Sequence, residues 1–465
     1  MNAALAAARA ALSGEEAWLV GGAVRDRLLG RETDDVDLAV AGDARAAARR
    51  LARATDAMPF ALSDAFGAWR VTARDRSWQA DLMPLEGGSL EADLARRDFT
   101  VNAMAEPLAG GDLVDPFGGR ADLEARRLRL VSDHALEDDP LRVMRWARLA
   151  VELGLDSEPR TEQAVRRAAP RLPAVAPERV FAELKRIVGA QRPELGIGRL
   201  AEVGALEAVL PELAAQRGVE QNRFHHLDVY AHTLEVLATA ARLEGDPEFF
   251  GEHADAVAAF LAEPLADELS RAQALRLGAL MHDVAKPPTR SETPEGRVTF
   301  MGHDALGAEM AHAALGRLRA SQRLREHVAA LTRHHLRAGF LVHRRPLTRR
   351  DVHAYLRACE PVEVDVTLLS VADRLATRGD NAEASIANHL EVARELLGEA
   401  LRWRAEGPPE PLVRGDELAA EVGIPRGPRL GEALRELEAA QFAGEIASRE
   451  DAVALARRLA GETAD

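Results

Sequence analysis

Two aspartates near the amino terminus have the spacing of a metal-binding pair. Asp35 and Asp37 alternate with Val36 and Leu38, and alternate side chains of a β-strand point to opposite faces. The carboxylates therefore share one face of a predicted strand, while the apolar side chains face a core. Two carboxylates on one face suit phosphoryl chemistry with Mg²⁺, in which one ion lowers the pKa of an attacking hydroxyl and another neutralises phosphate charge.

A pair of glycines precedes the aspartates, at the start of a predicted helix. Gly21 and Gly22 have no Cβ, so the backbone can turn tightly, approach a phosphate and offer N–H groups at the helix start. An isolated Asp-x-Asp is usually a surface loop or a helix cap. Directly after this glycine turn, it predicts a site for nucleotidyl transfer, with Asp35 and Asp37 as the catalytic metal ligands.

Asp81 and the run from Arg96 to Asp98 are the next polar candidates along the chain. Asp81 lies in a strand pattern at 79–83 that can bring a third catalytic carboxylate beside the pair, although an acid on an edge strand gives the same pattern. Arg96 and Arg97 can clamp a triphosphate, and Asp98 can accept a hydrogen bond from a sugar hydroxyl. A salt-bridged cluster is the alternative.

A further charged group lies at a predicted helix start near residue 140. Asp138, Arg142 and Arg145 have the i, i+4 and i+7 spacing of one helix face, and Asp139 follows the first of them. A carboxylate can accept from the exocyclic amine of cytosine or adenine while an arginine donates to the neighbouring ring acceptor, whereas the carbonyls of uracil and guanine face the carboxylate unfavourably. An N-capped helix with internal ion pairs is the alternative.

The second half of the chain carries a different set of candidate ligands. Four imidazole and carboxylate groups are separated by long predicted helices, and two more histidines lie between them: His232, His282, Asp283 and Asp373, then His303 and His334. These ligand types suit Mn²⁺, Fe²⁺, Ni²⁺, Mg²⁺ or Zn²⁺ and do not select among them. A single histidine on a helix is more often structural, but the adjacent His-Asp pair with both outer ligands predicts a metal site.

The order of these motifs resembles that of a known family. The glycine turn with Arg25 and Asp26, the Asp-x-Asp, and the segments 96–103, 115–119 and 138–142 follow one another as in class II tRNA nucleotidyltransferases, over about residues 18–183. These bacterial CCA-adding enzymes and poly(A) polymerases belong to the DNA polymerase β-like superfamily. The histidine and aspartate set resembles that of the HD phosphohydrolase superfamily over about residues 224–377.

The resemblance implies roles for individual positions. It implies ribose recognition at 96–98 and a protein template for base choice at 138–142, where relatives usually begin with glutamate and this chain has Asp138. The implied nucleotide-binding residues are Gly21, Gly22, Arg25, Asp26, Arg96, Arg97, Asp98, Asn102, Asp138, Asp139, Arg142 and Arg145, and the implied RNA-binding residues are Arg179, Lys185 and Arg186.

Composition bounds the class of protein. The chain has 465 residues and a net charge of −15, which at face value argues against a polyanionic partner. Much of the excess acid lies at 244–268, however, and nearly all positive charge is guanidinium, which suits phosphate contacts, although genome base composition explains this equally well. The single cysteine, Cys359, and the lack of an apolar run of roughly 20 residues predict a cytoplasmic protein without a membrane span.

Strand and helix patterns divide the chain. Strand-like runs at 18–20, 36–40, 60–62, 69–73 and 79–83 alternate with helices, and the sequence beyond about residue 131 is helical in pattern. The expected fold class is α+β: a polymerase β-like head with a mixed sheet, then an all-α neck, an HD domain and a helical tail. The predicted domains are 1–135, 136–215, 216–400 and 405–465, and the tail resembles an RNA-binding module.

The sequence thus predicts a Mg²⁺-dependent tRNA nucleotidyltransferase that transfers CMP, AMP or both from CTP and ATP to a tRNA 3′ end. The HD domain is expected to bind a divalent metal of unassigned identity. A poly(A) polymerase acting on other RNAs and a metal-dependent HD phosphohydrolase with an RNA-binding head are the alternatives. Only residues 82–97 separate Asp81 from Asp98, whereas full CCA-adding relatives carry a longer flexible segment before this motif, so the resemblance implies addition of CC only. Full CCA addition is the alternative, because Gly87 and Gly88 can give this short segment mobility.

Overall fold

The computed structural model describes residues 3–31, 35–63, 67–222, 226–244, 246–379 and 382–462. The chain forms two compact units. One comprises Met1–Ile187 and Leu195–Val209, and the other comprises Val188–Glu194 and Leu210–Asp465. Within the described ranges, no helix is both long enough and apolar enough to cross a membrane.

A six-stranded sheet forms the centre of the first unit. Its strands are β1 (Ala17–Val20), β2 (Asp35–Val40), β3 (Met58–Ser63), β4 (Ala68–Thr72), β5 (Gln79–Pro84) and β6 (Ala105–Pro107). They are ordered β3-β4-β5-β2-β1-β6, and β2 and β5 are parallel while the other neighbours are antiparallel. The mixed sheet and the five predicted strands are confirmed. A short parallel pair, β7 (Arg127–Leu128) and β8 (Asp156–Ser157), lies apart from this sheet.

Strand register separates the two faces of the sheet. Leu19, Leu38, Leu82 and Trp69 lie opposite one another on successive strands, and they belong to an apolar cluster that includes residues of the helices at 3–11 and 44–55. On the other face, Asp37 of β2 lies opposite Asp81 of β5. The alternation predicted for the aspartate strand is therefore confirmed, because Val36 and Leu38 are buried in the core.

Helices complete the first unit and lead into the second. They are α1 (Ala3–Ala11), α2 (Gly22–Leu28), α3 (Ala44–Thr55), α4 (Leu90–Ala95), α5 (Gly119–Glu124), α6 (Ala135–Asp138), α7 (Arg142–Leu153), α8 (Pro159–Ala168), α9 (Pro177–Gly189), α10 (Pro193–Glu202) and α11 (Ala205–Val209). Asp43 caps α3 by accepting hydrogen bonds from the N–H groups of Arg45 and Ala46, as a residue of this type does at an N-cap.

The predicted continuous helix face at 138–145 is wrong. Helix α6 ends at Asp138, and α7 begins at Arg142. Between them Asp139 is extended, with φ −146° and ψ 100°. Asp139 precedes Pro140, and the ring of a proline disfavours the helical conformation for the residue before it. Asp138 is therefore exposed on the preceding helix, while Arg142 and Arg145 belong to the next one.

The second unit is almost wholly helical. Its helices are α12 (Pro211–Ala214), α13 (Val229–Leu243), α14 (Pro247–Phe250), α15 (Ala254–Ala262), α16 (Arg271–Met281), α17 (Lys286–Thr289), α18 (His303–Arg317), α19 (Gln322–His334), α20 (Arg337–Leu341), α21 (Arg349–Cys359), α22 (Glu363–Ala376), α23 (Ala382–Glu406), α24 (Gly415–Val422), α25 (Pro428–Phe442) and α26 (Arg449–Glu462). Two small hairpins interrupt them, β9 (Pro264–Ala266) with β10 (Leu269–Ser270) and β11 (Ser291–Glu292) with β12 (Val298–Thr299).

The carboxyl-terminal helices α24 to α26 have a small apolar core of their own. Leu418, Leu437, Ile446 and Val453 are among its buried side chains. Helix α23 runs to Glu406, so the predicted domain boundary at residue 400 lies inside a helix. The chain leaves regular structure only after that helix, in the Pro-rich segment that follows it.

Candidate active site

The glycine turn forms part of a cleft in the first unit. Gly21 has a φ of 71°, a backbone conformation that residues with a side chain rarely adopt, and it is the N-cap residue of α2. A Cβ on Gly21 would lie 2.6 Å from the Nη1 atom of Arg97. The backbone conformation therefore favours glycine at this position, and the Arg97 guanidinium occupies the space that a side chain would take.

Two of the three carboxylates predicted to be catalytic lie side by side on neighbouring strands. Asp37 of β2 is directly opposite Asp81 of β5, and Asp35 begins β2, although its side chain is outside the described part of the chain. The edge-strand alternative for Asp81 is wrong, because β5 lies between β4 and β2. The Arg70 guanidinium holds the Asp81 carboxylate through two hydrogen bonds of 2.6 and 2.7 Å. Neighbouring carboxylates on an open face are a suitable donor set for Mg²⁺.

A chain of hydrogen bonds positions Asp98 behind the carboxylates. Arg25 donates to the Oδ1 atom of Asn102 at 2.5 Å, and Asn102 donates to Asp98 at 3.0 Å. On the other side, Arg145 donates to the Oδ2 atom of Asp98 at 2.6 Å. Burial would raise the pKa of Asp98, but the Arg145 charge and the hydrogen bonds from Asn102 and the Phe99 N–H lower that pKa to about 2. Asp98 is therefore an ionised acceptor.

The paired arginines before Asp98 are held by acidic neighbours. Arg96 contacts Glu86 at 2.7 Å, and Arg97 contacts Asp93 at 3.0 Å. Both ion pairs leave the guanidinium groups on the lining of the cleft. The salt-bridged arrangement proposed as an alternative is thus present, and it coexists with a position facing the cleft.

The acidic and basic residues predicted to select the base have different hydrogen-bond partners. Asp139, rather than Asp138, lines the cleft, and it accepts a 2.7 Å hydrogen bond from Arg179. Arg142 donates to the main-chain oxygens of Arg96 at 2.6 Å and Arg97 at 3.1 Å. The carboxylate and the guanidinium that could read a base therefore both face the same cleft.

The cleft has a volume of about 710 Å³, within the range of small-molecule sites. Among the described residues, eight arginines line it: Arg25, Arg96, Arg97, Arg142, Arg145, Arg148, Arg179 and Arg186. Two residues predicted to bind RNA, Arg179 and Arg186, belong to this lining. The third, Lys185, lies over the ring of Phe181, with its Nζ atom 5.6 Å from the ring centre.

A second cluster lies inside the helical unit. The Nε2 atom of His232 is 3.0 Å from Asp373 Oδ1 and 3.7 Å from Asp283 Oδ2, and His282 Nε2 is 3.1 Å from the same Asp283 oxygen. Burial disfavours the charge on Asp283, but His282 and Lys286 outweigh it and hold the pKa of Asp283 well below its ordinary value. The fold therefore brings all four predicted ligands together.

Two further histidines complete the cluster. His303 and His335 place their Nε2 atoms 3.4 and 3.8 Å from Asp283 Oδ1. The Nδ1 atoms of His282, His303 and His335 each lie 2.6 to 2.8 Å from a carbonyl oxygen three residues earlier. A carbonyl oxygen only accepts, so each Nδ1 donates its proton to that oxygen, and each ring turns its Nε2 atom towards Asp283.

This arrangement fits a metal ion. Two sets of ligand atoms, one with His232 and His282 and one with His303 and His335, share Asp283, and the atoms of each set lie within 4.8 Å of one another. A backbone carbonyl that fixes the tautomer of a ligating histidine is the usual support of a metal site. The cluster can therefore hold a divalent cation by nitrogen and carboxylate ligands.

Known proteins resemble this chain over most of its length. Residues 17–129 match the Poly A polymerase head domain, 154–217 match the probable RNA and SrmB-binding site of polymerase A, and 229–378 match the HD domain. An A-adding tRNA nucleotidyltransferase of Deinococcus radiodurans is 39% identical over 461 residues, 96% of each chain. A CC-adding tRNA nucleotidyltransferase of Thermus thermophilus is 37% identical over 94% of this chain and 92% of its own. The chain belongs to the tRNA nucleotidyltransferase family.

Solved structures support the same fold for this member of the tRNA nucleotidyltransferases. A CCA-adding enzyme in complex with ATP has a TM-score of 0.65 at 19% identity, covering 97% of this chain and 94% of its own. The CCA-adding enzyme of Thermotoga maritima complexed with tRNA has a TM-score of 0.60 at 19% identity, covering 97% and 93%.

Sequence reasoning missed one candidate ligand of this tRNA nucleotidyltransferase. It named His334, whereas the adjacent His335 is the buried residue that faces Asp283. His334 accepts a hydrogen bond from Arg337 at 2.8 Å and does not belong to the cluster. The two histidines are adjacent in sequence, so only the direction in which α19 ends could distinguish them. His303, named without a role, is also a candidate ligand.

Proposed function

We propose that the chain transfers CMP, AMP or both from CTP and ATP to the 3′ end of tRNA, with release of pyrophosphate. The observation that carries this proposal is the alignment of Asp37 with Asp81 on the open face of the sheet, beside a cleft lined by eight arginines. Carboxylates supply ligands for metal ions, and guanidinium groups suit the triphosphate. The relatives named above act on tRNA, which makes tRNA the expected acceptor.

Different residues are assigned to binding of the metal, the triphosphate and the sugar. Asp35 and Asp37 would hold Mg²⁺, with Asp81 adding charge beside them, and bound Mg²⁺ would lower the pKa of the acceptor hydroxyl and neutralise phosphate charge. Arg96 and Arg97 bind the triphosphate. Asp98, ionised and fixed by Asn102 and Arg145, accepts from the sugar.

Base choice falls to Asp139 and Arg142. The carboxylate accepts from the amine of cytosine or adenine, and the guanidinium donates to the ring acceptor beside it. Asp139 takes the role first assigned to Asp138, because Asp139 is the acid that faces the cleft. This pair discriminates between bases because a wrong base leaves the carboxylate or the guanidinium without a hydrogen-bond partner.

We further propose that the enzyme is restricted to adding CC. The turn between β4 and β5 is short and is closed by a 3.0 Å hydrogen bond from Ala73 N to Trp78 O. The next connection is anchored by Leu85 N to Val40 O at 3.1 Å, by Glu86 N to Asp93 at 3.3 Å and by the Arg96–Glu86 pair. Because several hydrogen bonds and an ion pair hold these connections, Asp139 and Arg142 keep one arrangement, which suits a single kind of base. Cytosine is smaller than adenine and is therefore the base that fits a cleft of fixed shape.

The direct test of the transferase is incorporation of labelled nucleotides. Purified protein is incubated with a tRNA that lacks its CCA end and, separately, with an RNA of unrelated structure, each with one labelled nucleotide. We expect Mg²⁺-dependent incorporation of CMP into the tRNA alone. AMP polymerised on the unrelated RNA would instead identify a poly(A) polymerase.

For the second unit we propose a divalent metal site with phosphoester hydrolase activity. The convergence of His282, His303 and His335 on Asp283 supports this candidate function. The bound ion would supply Lewis acidity for attack on a phosphoester. Hydrolysis of p-nitrophenyl phosphate and bis(p-nitrophenyl) phosphate by the metal-loaded enzyme tests it, and we expect activity that a chelator removes.

A further inference from the structure

Strand β3 carries a row of exposed apolar side chains. Met58, Phe60 and Leu62 are 52%, 46% and 45% exposed. They alternate along β3, which forms an edge of the sheet. Among the described residues they account for three of the eight large hydrophobic side chains that are exposed to this degree. We call these three residues the β3 stripe.

Met58 and Phe60 of the β3 stripe lie on the same face of the sheet as Asp37 and Asp81, and Leu62, at an irregularity of the strand, lines the cleft that contains both aspartates. Phe60 is opposite Arg70, Arg70 is opposite Asp81, and Asp81 is opposite Asp37. Residues directly opposite one another point to the same face. Three strand spacings of about 4.8 Å therefore place Phe60 roughly 14 Å from Asp37.

The open part of this face leads from the carboxylates to the stripe. At the other end of the face, Val20, Ala39 and Ala105 of the sheet are buried in an apolar cluster with Leu94 of α4. Leu62, Ser63 and Ala68 line the cleft together with Gly21 and Asp37. The stripe is therefore continuous with the cleft in which the chemistry is proposed to take place.

The distribution of side chains on β3 is the reverse of what packing predicts. The strand is exposed on both faces, and its small residues Pro59 and Ala61 lie on the face that the sheet uses for its core. The large apolar residues lie on the side without a core. A strand that only closed the sheet would carry polar or charged residues there, so this side chain pattern indicates a ligand.

We propose that the β3 stripe is the surface on which the unpaired bases at the 3′ end of the acceptor RNA stack. This inference rests on the proposed transfer of nucleotides to an RNA 3′ end. Growth at that end leaves unpaired bases next to the reacting hydroxyl, and unpaired bases bind proteins by stacking on aromatic and apolar side chains. The stripe is an exposed apolar surface on the catalytic face, at the distance of the last few nucleotides from Asp37.

Substitution of Phe60 tests the proposal in the full-length enzyme. Phe60→Ala should raise the KM for a tRNA lacking CCA about tenfold, within the range found when an aromatic stacking partner is removed, while the KM for CTP changes less than twofold. Phe60→Trp should keep the KM for tRNA close to that of the wild type. Phe340→Ala removes a phenylalanine that is 65% exposed in the second unit and is the matched control. Thermal melting should show the same midpoint for all variants.

The outcomes separate this inference from the proposed function. Equal KM values for tRNA in Phe60→Ala and Phe340→Ala would overturn the stacking surface while transfer by the wild type stands. A wild-type dimer that Phe60→Ala dissociates, without a change in the KM for tRNA, would show that the stripe joins two copies of the chain and would also overturn it. Wild-type enzyme that adds no nucleotide to tRNA would overturn the proposed function, and the acceptor assignment with it.

Discussion

Arg142 donates a 2.6 Å hydrogen bond from its Nη2 atom to the main-chain oxygen of Arg96. This bond ties the first residue of α7 to the segment that carries the proposed triphosphate clamp. A guanidinium fixed in this way is preorganised, so its contact with a base loses little conformational entropy. In the proposed function, base choice and phosphate binding are therefore coupled through the Arg142 side chain.

Replacing Arg142 by alanine should weaken both functions. We expect a lower rate of CMP transfer and a roughly 10- to 100-fold loss of discrimination against UTP and GTP, because the donor half of the base contact is removed. Single-turnover assays with each of the four nucleotides measure this. Arg160→Ala, an exposed arginine outside the cleft, is the control. Unchanged selectivity in Arg142→Ala would contradict the template role.

Replacing Asp37 by asparagine should abolish transfer without unfolding the protein. The change keeps the side chain shape and removes a metal ligand, and we expect a fall in rate of about a thousandfold or more. Asp56→Asn is the matched control, since its carboxylate is 84% exposed and its φ of 52° is a conformation that asparagine accepts. Near-normal incorporation by Asp37→Asn would rule out this carboxylate as a catalytic metal ligand.

The two adjacent histidines at the end of α19 should differ in their effect on metal content. His335→Ala should reduce the metal bound per chain, because His335 faces Asp283 in the buried cluster. His334→Ala should leave the metal content unchanged, because His334 contacts Arg337 instead. Elemental analysis of the purified variants gives the answer. Equal metal content in both variants and the wild type would exclude His335 as a ligand.

The low pKa of Asp98 predicts that the native state loses stability in acid over a defined pH range. Folding lowers that pKa from 3.8 to about 2, so ionised Asp98 stabilises the native state by about 2 kcal/mol above pH ~4. This contribution is lost as the pH falls through 4 towards 2. Melting of the wild type and Asp98→Asn across this range tests it. The difference between the two midpoints should shrink with falling pH, and a constant difference would contradict the assignment.

Local sequence patterns predicted the carboxylate face because strand alternation depends on neighbouring residues alone. Asp37 and Val36 therefore lie on the predicted sides of β2. The prediction failed at Asp138 because Pro140 interrupts the helical pattern that the spacing suggested. His335 and Phe60 could not be predicted in this way. Their roles depend on how α19 ends and on the register of β3 with β4, which the tertiary structure determines.

The nucleotides added to three acceptors test the central claim most directly. Purified enzyme is supplied with tRNAs that end before CCA, after C and after CC, each with labelled CTP or labelled ATP. The short, anchored connections around Asp81 and Arg96 predict two CMP additions to the first tRNA, one to the second and no AMP addition to the third. AMP transfer to the tRNA ending in CC, at a rate comparable with CMP transfer, would contradict restriction to CC.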